Sequence, residues 1–263
     1  MADADNAETL LESRDGHVVT LTISRPPNNH INRELIVTLA SRLEALDADE
    51  GCRAVVLTGA GKHFCAGADF SKGESGGLAS PEGAPGRTLY VEAARLFRTR
   101  KPIIAAVHGA AIGAGLGLAV VADFRVTCAE ARYSANFTRL GFHPGFGLSF
   151  TLPRLIGQQN AALLFYTGRR IDGEEAHRLG LADMLVPQAE VLSAAQALAA
   201  EIAVSSPAAV QGVRASMRRG IADAFEAATE REYQQQVWQR QMADFAEGRA
   251  AMTERREPRF KGR

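Results

Sequence analysis

Two glycine-rich turns hold the residues best placed to do chemistry. They are Phe64-Cys65-Ala66-Gly67-Ala68-Asp69 and His108-Gly109-Ala110-Ala111-Ile112-Gly113-Ala114-Gly115-Leu116-Gly117. Their small residues let a ligand approach the main chain closely, which larger side chains would block. The second turn runs into an Ala/Gly/Leu/Val stretch, Ala114 to Ala122, that reads as a helix. The first N–H groups of such a helix have no intrahelical acceptor and carry the positive end of its dipole, so this is an anion site built from backbone. The same glycines would also serve tight turns and helix packing, and turn composition by itself does not choose between the two uses.

The elements that must position these turns are short apolar runs. Ala54-Val55-Val56-Leu57-Thr58 precedes the first and Ile103-Ile104-Ala105-Ala106-Val107 the second, and both read as strands. The two turns are therefore expected on one edge of a sheet, where N–H groups from each can converge on a single oxygen atom. Upstream, His17 to Ser24 alternates as a strand and stops at Pro26-Pro27, where ladder pairing ends. A helix from Arg33 to Leu46 follows, with Leu35, Ile36, Leu39, Leu43 and Leu46 on one apolar stripe. This strand, helix, strand succession, repeated at Ile103 and Phe124, implies parallel pairing with right-handed crossovers.

Ser71 to Gly86 is rich in Gly, Ser and Pro and reads as a mobile loop over the ligand cleft. A helix from Thr88 to Thr99 puts Tyr90, Ala94 and Phe97 on one face. From Phe150 the pattern is almost entirely helical to Met252, with a short strand at Asp183 to Val186. The expected organisation is an α/β unit over 1–187 and a helical unit over 188–263, which has little core of its own and must pack on something.

Lys+Arg and Asp+Glu balance at 30 each, so no global field recruits nucleic acid or a membrane surface, and an anionic ligand must be held by local groups. Cys52, Cys65 and Cys128 make an odd count without metal spacing, which favours reduced, buried thiols and a cytoplasmic location. Met1 to Glu8 lacks the basic and apolar regions of a signal peptide. No apolar run reaches the ~18 residues that span a bilayer, and a soluble protein is expected. No P-loop, dinucleotide fingerprint or zinc pattern is present, and neither a metal nor a prosthetic group is expected.

The order and spacing of several motifs resemble the crotonase superfamily, the enoyl-CoA hydratase/isomerase family. They are Arg25-Pro26, Phe64 to Asp69, Lys101-Pro102 through Gly109, Gly113-Ala114-Gly115, Ala122-Asp123-Phe124-Arg125, Gly141 to Gly145 and Leu152 to Gly157, with the likeness continuing through Gly180 to Pro187. The resemblance covers nearly the whole chain. It implies an α/β spiral of ββα units with a C-terminal helical subdomain that packs across subunit boundaries in a homotrimer or dimer of trimers. Trp238, Phe245 and the apolar positions between Ala224 and Ala251 would supply that contact, and intrachain packing is the competing use. The resemblance further implies an acyl-CoA substrate, with coenzyme A present only as part of the thioester.

On the same resemblance, the Ala68 and Ala114 N–H groups form an oxyanion hole for the thioester carbonyl. Coenzyme A would lie along Arg25, the Cys65-Ala66 backbone and the loop after Asp69. C-terminal contacts would come from Met252 and Arg255 of a neighbouring chain, with Lys261 a further candidate for the phosphates. Two glutamates that hold water in the hydratases align with Gly117 and Phe137, and neither of these moves a proton. Aspartates used by other superfamily members align with Pro144 and Gly145. Hydration is therefore disfavoured, and isomerisation, decarboxylation or C–C or C–X cleavage through an enolate is favoured.

Two proton carriers remain. Tyr90 lies in the helix where superfamily members place a catalytic tyrosine or histidine, and a phenol can protonate an enolate carbon. His143 lies in the segment that lines the acyl pocket and titrates in the useful range. The competing use of Tyr90 is a buried helix tyrosine satisfied by a carbonyl, and that of His143 a hydrogen bond in a tight turn. His30 is a third candidate, while His63, His108 and Asp69 read as structural. Phe137, Phe142 and Phe146 would shape a pocket for an aromatic or bulky acyl group. A non-catalytic acyl-CoA-binding protein is the second reading of the chain, and RNA binding a third that the neutral charge opposes.

Overall fold

The computed structural model describes residues 9–68 and 89–263. Strands β1 (Leu10–Asp15) and β2 (Val18–Ile23) pair antiparallel through a tight turn at Gly16, whose φ is 53°. Helix α1 (Arg33–Ala48) begins at Asn32, whose side chain accepts from the Leu35 N–H at 2.9 Å. It buries the expected stripe of Leu35, Ile36, Leu39, Leu43 and Leu46. The chain then enters β3 (Ala54–Gly59), parallel to β2. Helix α2 (Leu89–Phe97) precedes β4 (Ile103–Val107), parallel to β3.

Next come β5 (Ala110–Ile112), α3 (Ala114–Val121), β6 (Phe124–Thr127) and β7 (Arg132–Ser134). They are followed by α4 (Leu148–Ile156), α5 (Gln158–Thr167), β8 (Arg170–Asp172), α6 (Gly173–Arg178) and β9 (Met184–Leu185). Helices α7 (Val191–Val204), α8 (Pro207–Met217), α9 (Ile221–Gln239) and α10 (Ala243–Glu254) lead to the C-terminal segment.

The larger sheet has the order β1-β2-β3-β4-β6-β9 and is parallel from β2 onward. Every residue of β3 and β4 is buried, as a parallel sheet covered on both faces requires. A second sheet, β5-β7-β8, was not expected from the pattern, and β8 interrupts the helical run after Phe150. Each of its strands is three residues long, too short to show a period.

The composition change near 187 does not separate the helices from the sheet. Helix α7 packs across β2, β3, β4 and β6, α9 packs on α2 and α4, and α10 packs on a single 3-10 turn at Thr138–Leu140. Asp123 ties this region down, because its carboxylate accepts from Arg214 Nε at 2.8 Å and from Arg218 Nη1 at 2.9 Å. No single helix among the described residues is long and apolar enough to cross a membrane.

Candidate active site

The two glycine-rich turns are laced together by main-chain bonds. The Cys65 N–H donates to the Ala110 carbonyl at 2.9 Å, and the Cys65 carbonyl accepts from the Ile112 N–H at 3.1 Å. On the opposite side the Ala66 N–H donates to the Asn28 carbonyl at 3.0 Å, and the Ile31 N–H to the Gly67 carbonyl at 2.9 Å. The last of these bonds is half of a parallel bridge between Ile31 and Ala68. Among the described residues no acceptor takes the Ala68 N–H.

The second turn leaves a matching group. The Gly113 N–H donates to the Ser134 carbonyl at 2.8 Å, while the Ala114 N–H, at the first position of α3, has no acceptor among the described residues. The turns approach closely, since a Cβ on Gly67 would lie 3.9 Å from the Ala114 nitrogen. A Cβ on Gly115 would lie 2.1 Å from the Cys65 carbonyl oxygen, so only glycine permits the contact. Ala68 and Ala114 both line one cavity of about 820 Å³. Two N–H groups without an acceptor among the described residues, one of them at the positive end of a helix, thus border the same cavity, the arrangement an oxyanion requires.

Tyr90, Phe137, Leu140 and Phe142 are the buried part of the cavity wall, and Lys62, Glu130, Arg132 and Arg170 its exposed part. Met252 and Arg255 of the same chain also line it. The cause is the close seating of α10. A Cβ on Gly248 would lie 2.6 Å from the Leu140 carbonyl carbon, and the Phe245 ring meets Phe142 edge-on at 5.3 Å. Lys261 lies outside the cavity, its backbone N–H held by Asp244 Oδ1 at 2.7 Å.

Tyr90 and His143 are treated differently by the fold. The Tyr90 hydroxyl donates to Gln236 Oε1 at 3.0 Å, and Gln236 Nε2 donates to the His143 carbonyl at 2.9 Å. Burial, helped by the nearby Glu232 charge, pushes the Tyr90 hydroxyl up to about 12. His143 does not line the cavity, because its neighbour Phe142 takes that side. The His143 ring donates from Nδ1 to the Pro144 carbonyl at 2.8 Å, and the His143 backbone N–H donates to Gln239 Oε1 at 2.5 Å. Phe146 is also absent from the cavity wall, packing edge-on to Phe225 at 6.2 Å.

The remaining candidates divide between cavity and frame. Ala66, His30 and His63 line the cavity. Burial and the adjacent Lys62 lower the His63 pKa, and its Nδ1 accepts from the Ala110 N–H at 3.4 Å. Cys65 contributes main chain only, its buried thiol pushed up to about 11 by burial. Arg25 lies outside the cavity and donates to the His30 carbonyl. His108 donates to the Gly61 carbonyl at 2.9 Å. Asp69 and the loop Ser71 to Gly86 lie outside the described residues.

Four supporting residues escaped the sequence reading. Asn29, fully buried with φ 52°, donates from Nδ2 to the Ala60 carbonyl at 2.9 Å and the His63 carbonyl at 2.7 Å, fixing the approach to the first turn. An asparagine just after two prolines was the available signal, since asparagine tolerates the left-handed region. Glu232, fully buried, accepts from the Gly147 N–H at 2.7 Å, the Ser149 N–H at 2.9 Å and the Ser149 hydroxyl at 2.5 Å. It caps α4, and burial raises its carboxyl to about 7. Gln236 on α9 and Arg240 at its C-terminal cap follow at one-turn intervals, a polar stripe on the helix face turned inward.

Comparison with known proteins agrees with this architecture. The profile of the enoyl-CoA hydratase/isomerase family matches residues 13–263. A probable enoyl-CoA hydratase of Bacillus subtilis (strain 168) is 34% identical over 254 residues, covering 94% of this chain and 96% of that protein. The 1,2-epoxyphenylacetyl-CoA isomerase of Escherichia coli (strain K12) is 31% identical over 264 residues, covering 97% and 99%. Among solved structures, an enoyl-CoA hydratase/isomerase from Pseudoalteromonas atlantica T6c superposes with a TM-score of 0.86 at 31% identity, covering 97% of this chain and all of that one. With its two laced turns, its parallel sheet and this likeness over nearly its full length, the chain belongs to the enoyl-CoA hydratase/isomerase family of the crotonase superfamily.

Proposed function

We propose that the protein is an acyl-CoA enzyme that polarises a thioester carbonyl between the Ala68 and Ala114 N–H groups. It works through the enolate stabilised there, by isomerisation, decarboxylation or C–C or C–X cleavage, and not by adding water. Each such donor contributes on the order of 3 kcal/mol in comparable sites.

The observation that carries this reading is the fate of two positions where the superfamily resemblance puts carboxylates. A Cβ on Gly117 would lie 2.6 Å from Phe146 Cδ1, and a Cβ on Gly145 would lie 2.1 Å from the Tyr90 hydroxyl. Aromatic side chains fill the space a carboxylate would need. The other hydratase position is Phe137 itself, and among the described cavity-lining residues Glu130 is the sole carboxylate, on the exposed side. A water held between two acids has no counterpart in that wall.

The aromatic wall of Tyr90, Phe137 and Phe142 suits an aromatic or bulky acyl group, and the likeness to an isomerase of an epoxidised phenylacetyl thioester supports the same class. Tyr90 is the proton carrier in this reading, because its side chain reaches the cavity and that of His143 does not. Ala66, Met252 and Arg255 would hold coenzyme A, with Lys62, Arg132 and Arg170 available to its phosphates. A homotrimer or dimer of trimers is the assembly we infer. Tyr233 and Val237, one turn apart on α9 with Trp238 beside them, are exposed apolar groups that such an assembly would cover. Three free, buried cysteines support a cytoplasmic location.

A second reading is favoured by one observation. The Tyr90 hydroxyl is already bonded to Gln236 and is a weakened acid, as in a binding protein that has kept the oxyanion turns and lost its chemistry. A panel of CoA thioesters decides between them. Turnover of an aryl or branched acyl thioester without hydration supports the enzyme, and tight binding of the panel without any turnover supports the binding protein.

A further inference from the structure

The Ala68 N–H and the Gly67 carbonyl belong to one peptide unit, and that carbonyl accepts two hydrogen bonds. One comes from the Ile31 N–H at 2.9 Å, the other from His30 Nδ1 at 3.1 Å. A carbonyl oxygen only accepts, so Nδ1 carries the ring proton. At the far side of the ring, Asn28 Nδ2 donates to Nε2 at 3.3 Å. Both ring nitrogens are thereby engaged, in the tautomer that points its N–H at the turn. The His30 carbonyl is itself held by the Arg25 guanidinium, which fixes the backbone from which the ring projects.

Hydrogen bonds to a peptide oxygen draw electron density from the nitrogen side and strengthen the N–H of the same unit as a donor. We propose that His30 is a positioning residue of the oxyanion hole: its Nδ1–H orients and polarises the Gly67–Ala68 peptide, so that the Ala68 N–H is the stronger donor to the thioester oxygen. The two halves of the hole are then built differently. In the Ala114 half the Gly113 carbonyl accepts from the Gly117 N–H at 3.1 Å, an ordinary first-turn helix bond, with no side chain taking part. His30 thus has a role other than proton transfer, since its ring lone pair is taken by Asn28 and its ring proton by Gly67. This inference rests on the oxyanion reading of Ala68 and Ala114.

The test uses cinnamoyl-CoA labelled with ¹³C at the thioester carbon, whose carbonyl resonance and absorption band both report polarisation without turnover. Bound to the wild-type protein, the carbonyl should move downfield and the band to longer wavelength. His30→Leu, checked for folding by its melting temperature, should bind with affinity within about threefold and lose at least roughly 10–30% of that shift, the cooperative share of one hydrogen bond. His30→Gln, whose amide can replace the donor, should recover it. Asn28→Ala, which frees the ring at Nε2, should give a smaller loss in the same direction and stands in if the leucine variant does not fold. A full shift in folded His30→Leu or Asn28→Ala overturns the role of His30. The absence of any shift on binding to the wild type overturns the oxyanion reading itself, and the two failures are distinct.

Discussion

Phe146 lies directly on Gly117. A Cβ at Gly117 would come within 2.6 Å of the ring Cδ1 and 2.8 Å of the Phe146 Cβ, and the ring is buried where α3 meets α4. Glycine and ring form one packed unit. Phe146 reaches this place with a φ of 61°, a backbone region that costs a bulky residue something to hold.

Gly117→Ala should therefore destabilise the fold by about 1–3 kcal/mol, even though alanine is the better helix former by up to ~1 kcal/mol. Phe146→Ala alone should cost about 3–5 kcal/mol through the cavity it leaves. The double variant should cost less than the sum, since the new methyl then has room. Urea unfolding of the three variants measures the coupling, and strict additivity would mean that the two side chains do not share this space.

Tyr90 and His143 sit on opposite sides of the cavity wall, so their variants should behave differently. Tyr90→Phe keeps the ring and removes the hydroxyl bonded to Gln236, and turnover on the substrate found should fall at least about a hundredfold with little change in affinity. His143→Gln should leave turnover within about threefold, as its ring bonds the Pro144 carbonyl outside the cavity. With the Tyr90 hydroxyl raised to about 12, the phenol stays protonated well above neutral pH, and the rate should show no inflection from it between pH 7 and roughly 9. Steady-state kinetics of both variants across that range provides the check.

Ala114 is the first residue of α3, a position where proline fits a helix because its missing N–H has no intrahelical partner. Ala114→Pro should fold normally and lose about 10²–10³ in turnover by deleting one oxyanion donor. A folded Ala114→Pro protein with full activity would remove this N–H from the mechanism.

How much of this was legible in the sequence depended on the length of the signal. The α1 stripe, the parallel order of β2, β3 and β4 and the convergence of the two turns follow from periodicity and turn residues, and each is present. Strand β1 was missed although Asp15-Gly16 is a hairpin signal, because its exposed outer residues hide the alternation. The meeting of the two turns was legible because it is made by main chain, and what depends on contacts made at long range was obscure. Gln236 lies 146 residues from Tyr90, and Glu232 lies 85 residues from Gly147. No local pattern joins such pairs. The seating of α10 over its own cavity likewise depends on Gly248 meeting Leu140, a match between two surfaces.

Glu232 should leave a signature in the pH dependence of stability. Its carboxyl is raised to about 7 in the folded protein against 4.5 ordinarily, so between these values the folded state binds more protons than the unfolded one. Stability therefore falls as pH rises through that window and levels off above it, by up to about 3 kcal/mol. Glu232→Gln carries no titrating group, and its loss of an acceptor for Gly147 or Ser149 is constant with pH. Urea unfolding at pH 5 and pH 8 should show wild type losing ground to the variant at the higher pH, and an unchanged difference would place the Glu232 carboxyl in the ordinary range.

The central claim, a thioester-polarising site with no acids to activate water, is tested most directly by the turnover number on crotonyl-CoA, measured beside a homologue that has both glutamates. Each acid or base contributes about 10²–10⁴, so the rate of hydration should be lower by several powers of ten while the thioester still binds. Hydration at a rate comparable to the two-glutamate homologue would contradict the account.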